Sequence, residues 1–211
     1  PKKPWETAMP VLTPPVDREL VHDRTIVCRG WRRSDGNWDI EGHLVDTKTY
    51  GFPNEFRGQV QAGEPIHDMW LRLTIDADMT IVGSEAATAA GPFPICPDVN
   101  PNFERLIGLQ IGPGWRRAIR ERLGGVEGCT HLVELLGPLA TTAYQTIYGE
   151  KARVRREAEA RGETAPSPDG PETDGSGKRP RPRLLNSCHA FSDTGPVVAK
   201  LFPDWYQGPE S

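Results

Sequence analysis

Two cysteine–histidine pairs, Cys129 with His131 and Cys188 with His189, are the side chains of this sequence best suited to hold a metal ion or to arm a nucleophile. Thiolate and imidazole are soft and borderline donors, so a site built from them favours zinc or iron over magnesium, which prefers oxygen. The first pair coincides with a helix start. In Gly125-Val126-Glu127-Gly128-Cys129-Thr130-His131 the glycines and the Thr130 hydroxyl mark an N-terminal boundary, and Leu132, Leu135, Leu136 and Leu139 then recur at helical spacing. The free N–H groups and aligned dipoles at that end favour negative charge, which suits a sulfur ligand or nucleophile. A third cysteine, Cys96, sits between Pro94 and Pro97, in a stiff loop that presents its thiol at little entropic cost.

The predicted ligand set is therefore Cys96, Cys129, His131, Cys188 and His189, with His67 and Glu134 as the groups that move protons. Neither pair has a zinc-finger spacing, and each cysteine read alone is equally well a small packed hydrophobe. His67 precedes Asp68 where a loop enters a strand, a common position for functional groups. Neighbouring strand residues point to opposite faces, however, so the two do not make a base with its own orienting carboxylate. Three function classes fit these residues. The first is a metal-dependent enzyme, using zinc or iron on a small organic substrate with lyase or hydrolase chemistry. The second is a non-catalytic metal or iron–sulfur carrier. The third is a metal-free enzyme with Cys129 as nucleophile and a histidine as base.

The elements that must position these residues read as an α+β fold. Arg24 to Arg33 alternates, Ser34-Asp35-Gly36-Asn37 forms a turn, and Trp38 to Asp46 runs back, predicting a hairpin with Ile26, Cys28, Trp38, Ile40 and Leu44 on its apolar face. Asp39, Glu41, His43 and Asp46 read as the solvated face. After a Gly/Pro-punctuated loop over 51–65, Met69 to Ile75, a turn at 76–78 and Met79 to Val82 predict a second hairpin. Short helices are expected over 101–107 and 115–123, the latter stopped by Gly124 and Gly125. The arginines 116, 117, 120 and 122 on it suit an anionic ligand, although such runs are more often a solvated helix face. The helix after Cys129 is expected to kink at Pro138 and reach Ile147, followed by a charged, exposed stretch to Ala160.

The two hairpins are thus expected to form an antiparallel sheet packed against a C-terminal helical layer. Residues 1–23 read as an extended proline-rich arm, 24–162 as one domain, 163–183 as a flexible linker and 184–211 as an apolar tail that docks back on the domain. With 25 basic and 29 acidic residues the net charge is −4, which argues against a generic nucleic-acid binder and leaves a small molecule as the expected partner. No run is long and apolar enough for a membrane span, so a cytoplasmic location with four reduced cysteines is expected.

Taken in order, Trp38-Asp-Ile-Glu-Gly42, Gly63-Glu-Pro-Ile-His-Asp-Met-Trp-Leu-Arg-Leu-Thr74, Cys96-Pro97, Gly112-Pro-Gly-Trp115 and Gly128-Cys-Thr-His-Leu132 resemble a bacterial family catalogued as a domain of unknown function. The resemblance covers roughly 24–148 and 184–206 and implies no particular activity. In arrangement alone, a strand-rich start, a loop cysteine and a later cysteine opening a long helix are similar to iron–sulfur scaffold proteins of the IscU type.

Overall fold

A computed structural model of the protein describes Thr13, residues 16–163, Arg181, Pro182 and residues 184–209. The expected arm and linker fall largely outside these residues. The chain divides into two compact units, Pro1–Ala143 and Tyr144–Ser211. The fold is α+β.

In the first unit the strands are β1 (His22–Arg32), β2 (Trp38–Lys48), β3 (Phe52–Asn54), β4 (Gly58–Val60), β5 (His67–Ile75) and β6 (Ile81–Ala90). Four of them form one antiparallel sheet in the order β1-β2-β5-β6, while β3 and β4 pair separately inside the stretch expected to be a plain loop. The alternation in β2 is strict: Trp38, Ile40, Gly42 and Leu44 are buried, and the residues between them are half-buried. On β5, Met69, Leu71, Leu73 and Ile75 supply the matching buried face. Strand β1 departs from expectation. It is an edge strand with one neighbour, and Ile26 and Trp31 are 39% and 53% exposed. Strand β6 continues well past Val82 to Ala90, because the full length of β5 offers it ladder partners from Ile75 back to Asp68.

The helices are α1 (Trp115–Leu123), α2 (Thr130–Ala160) and α3 (Pro196–Leu201). Leu132, Leu135, Leu136 and Leu139 of α2 are fully buried, a seam in which each side chain contributes about 1.5–3 kcal/mol. Gly42 is where the seam meets the sheet. A Cβ there would lie 3.2 Å from Leu139 Cδ2, so the glycine lets the helix approach β2 closely. The segment expected as a short helix over 101–107 is instead a 3-10 run, Cys96–Leu106, with Phe103 and Leu106 buried; Pro97 and Pro101 deny it regular α-helical hydrogen bonds.

Helix α2 does not end near Ile147. It passes through Pro138 and reaches Ala160, its last turns carrying charged pairs three and four residues apart, Arg153 with Glu150 and Glu157, and Arg155 with Glu159. The second unit also holds α3 and two short 3-10 turns, His189–Phe191 and Pro203–Trp205, and Val198 of α3 is fully buried. No helix among the described residues is long and apolar enough to cross a membrane.

Candidate functional site

The sheet register lines up three polar residues in one row. Arg24 of β1 is the cross-strand partner of Asp46 of β2, which in turn is the partner of His67 of β5. Directly opposed residues share a face, and position 46 has the parity of Trp38, Ile40 and Leu44, so this row points to the buried side. Asp46 is 1% exposed, the one buried charged side chain among the described residues. A carboxylate in that position is tolerable only when each oxygen is hydrogen-bonded. Arg24 donates from Nε to Oδ1 at 2.7 Å and from its terminal nitrogen to Oδ2 at 2.8 Å, a two-pronged clamp. His67 Nδ1 lies 2.9 Å from Oδ2, and His22 Nε2 approaches Oδ1 at 3.4 Å.

The first turn of α2 closes the row from the helical side. His131 stacks on His67 with ring centroids 3.7 Å apart, and its Nε2 is 3.9 Å from Asp46 Oδ2. Ligand-grade atoms of Asp46, His67 and His131 all lie within 4.8 Å of one another. Cys129 occupies the helix boundary, its carbonyl accepting from Val133 N at 2.8 Å. Its Sγ is 4.0 Å from His131 Nδ1 and 3.9 Å from Met69 Sδ. Glu134, one turn on, pairs with the free side of the Arg24 guanidinium.

These contacts set the charge states. Burial alone would raise the Asp46 carboxyl, but the Arg24 hydrogen bonds and charge, with His67 in support, hold it below the usual carboxylate range. Burial pushes His67 below the usual imidazole value, the neighbouring His131 adds to this, and Asp46 opposes it. His131 is lowered by burial first and by the Arg24 charge second. At neutral pH the cluster is therefore an ionised carboxylate clamped by a guanidinium and facing two neutral imidazoles. Because Asp46 accepts, the His67 proton sits on Nδ1 and Nε2 keeps its lone pair.

Of the residues singled out in the sequence, His67, Cys129, His131 and Glu134 gather at this end of the sheet. Cys96 is not part of the Asp46–His67–His131 grouping; it starts its 3-10 run and packs on Gly91, where a Cβ would lie 2.8 Å from the Cys96 Cβ. Cys188 is exposed and caps the His189–Phe191 turn in the second unit, and His189 is exposed beside it. Asp68 serves the other face of the sheet. It lies 2.8 Å from His43 Nε2 and accepts from Trp70 Nε1 at 3.1 Å, while His43 stacks on Trp70. Asp46 departs from the expectation that it shares a solvated face with Asp39, Glu41 and His43; its side chain is buried. Its parity with Trp38 was the available signal. Arg24 carries no sign of its role in its own neighbourhood; pairing around the Ser34–Asn37 turn sets it opposite Asp46.

Fold and site together define an α+β protein with a buried carboxylate–histidine cluster where sheet meets helix. The chain belongs to the family described as Protein of unknown function (DUF2889), whose model matches residues 22–145, more than half its length. The motifs from Trp38 to Leu132 that carried the resemblance all lie within that range, and 184–206 lies beyond it. No curated protein and no solved structure matches the chain, so the likeness in arrangement to iron–sulfur scaffold proteins finds no counterpart there.

Proposed function

We propose that this chain is an enzyme of lyase or hydrolase type acting on a small organic substrate, centred on Asp46, His67 and His131 and using zinc or iron. The observation that carries the reading is the convergence of one buried carboxylate and two imidazoles, their donor atoms within 4.8 Å. Two imidazoles and a carboxylate suit zinc or iron better than magnesium. Asp46, His67 and His131 would hold the ion, which when bound polarises a carbonyl or lowers the pKa of a water. Arg24 fixes the carboxylate rotamer through its clamp, and Glu134 neutralises the remaining side of that guanidinium. Relative to the sequence reading, the ligand set shifts from cysteine–histidine to carboxylate–histidine, with His131 common to both. Elemental analysis of untagged protein prepared without chelators tests it. About one equivalent of zinc or iron is expected in the wild type, falling to background in His67→Ala and His131→Ala.

One observation favours a second reading. Both Asp46 oxygens already accept hydrogen bonds from Arg24, and Oδ2 also accepts from His67. That pattern belongs to a histidine oriented by its carboxylate to act as a general base through Nε2, with no ion needed. In that case the purified protein holds well under one equivalent of metal, and chelator treatment leaves turnover unchanged while His67→Ala abolishes it.

A further inference from the structure

A groove of about 620 Å³ lies between α1 and the first three turns of α2, within the range of sites that hold small organic molecules rather than single ions. Its walls are mainly apolar, formed by Trp115, Ile119 and Leu123 on one helix and Val133 and Ala140 on the other. Arg116 and Arg120, one turn apart on α1, also line it. The other arginines of that helix are engaged: Arg117 pairs with Glu121, and Arg122 donates to the carbonyl oxygens of Arg105 and Ile107. Arg116 and Arg120 have no ion pair among the described residues, so two uncommitted cations flank an apolar trough.

The groove borders the proposed centre, although Asp46, His67 and His131 do not themselves line it. Cys129 and Glu134 line it, and the same two residues contact His131 and Arg24 respectively. From this placement we infer that the groove is the substrate site of the Asp46–His67–His131 centre, and that the substrate is a small carboxylate with an apolar body. The inference rests on the enzyme reading above for its purpose but not for its test. The carboxylate meets Arg116 and Arg120, and the apolar body lies along Trp115, Ile119 and Val133. A phosphate would also attract two arginines, but the extent of apolar wall is wasted on a compact, strongly hydrated dianion.

Binding of benzoate to the full chain, followed by calorimetry and by the Trp115 indole resonance, tests this without turnover or metal. Benzoate is expected to bind and to shift that resonance. Benzamide, which has the same shape without the charge, is expected to bind at least tenfold more weakly, as is benzoate to the Arg116→Gln/Arg120→Gln double variant. Both positions are exposed, so the substitutions are expected to preserve the fold; Arg117→Gln, on the same helix but committed to Glu121, is expected to leave affinity unchanged. Equal binding of benzamide, tighter binding of phenyl phosphate, an unmoved Trp115 signal, or undiminished affinity in the double variant would each overturn the assignment. His67→Ala is expected to retain benzoate binding. Failure of the groove therefore shows as lost binding with metal content intact, and failure of the centre as the reverse.

Discussion

Asp46 on β2 and His67 on β5 are direct cross-strand partners, and the His67 Nδ1 proton is held by Asp46 Oδ2 at 2.9 Å. The pairing links a buried anion to an imidazole that is 13% exposed and whose second nitrogen is unprotonated. Both ends of the hydrogen bond rest on sheet strands, so backbone register rather than a loop conformation fixes it.

Removing the carboxylate charge tests how much the row matters to folding. Asp46→Asn leaves the Arg24 clamp without its anion and is expected to cost about 1–3 kcal/mol. The lower part of that range is favoured because Arg24 is about one-third exposed and water can take over part of its solvation. Urea unfolding measures it; a loss below about 0.5 kcal/mol, the scale of an ordinary surface change, would show that the cluster is not a stabilising element.

The pH dependence in chelator-treated protein follows from three shifts. His67 and His131 have folded-state values below 6.5, so between that value and their lower folded values the unfolded chain binds more protons. Their contribution is complete above about pH 6.5 and is lost as pH falls below it. Asp46 is held below 3.8, so its contribution persists above that value and disappears on further acidification through its folded value. Thermal midpoints should therefore begin to fall just below pH 6.5, well before the carboxylates titrate. A His67→Gln/His131→Gln variant should lose that first limb, and an unchanged profile would contradict the burial of these imidazoles as neutral groups.

Cys129 separates the two ligand sets. With a carboxylate–histidine centre, Cys129→Ser is expected to keep its zinc or iron, because the thiol stands 4.0 Å from His131 outside the Asp46–His67–His131 grouping. The half-buried thiol becomes a hydroxyl, at a cost of about 1–3 kcal/mol in thermal or urea stability. Loss of metal in Cys129→Ser would return the site to the cysteine–histidine set.

Limited proteolysis addresses the second unit. Cleavage is expected within 163–183, with the fragment that begins near Leu184 co-eluting with the rest in gel filtration. A fragment that separates freely would remove Cys188 and His189 from any preformed site.

A leucine-seam variant checks what holds His131 in place. Leu139→Ala should cost about 2–5 kcal/mol, because a fully buried side chain leaves a cavity where the helix meets β2. A loss under about 1 kcal/mol would mean that this seam is not what seats the helix.

The local signals were enough for the elements themselves. Alternation on either side of Ser34–Asn37 specifies a hairpin, Gly124 stops α1 after Leu123, and the boundary before Thr130 opens α2, each from contacts within a few residues. Where a residue lies relative to distant chain was a different matter. Asp46 looks like one more acid on a polar strand until parity is counted from Trp38, and its burial depends on α2 covering that face more than eighty residues later in the chain. Strand β1 is as apolar in places as β2, yet it is exposed because it takes the sheet edge, a position that no local pattern encodes. Likewise His67 and His131 become stacked partners only through strand register and helix packing, whereas Cys96, equally conspicuous in the sequence, packs on Gly91 and does not join their grouping. Side-chain chemistry is a local property, but a site is a set of distances between residues far apart in the chain, and those were decided by tertiary packing.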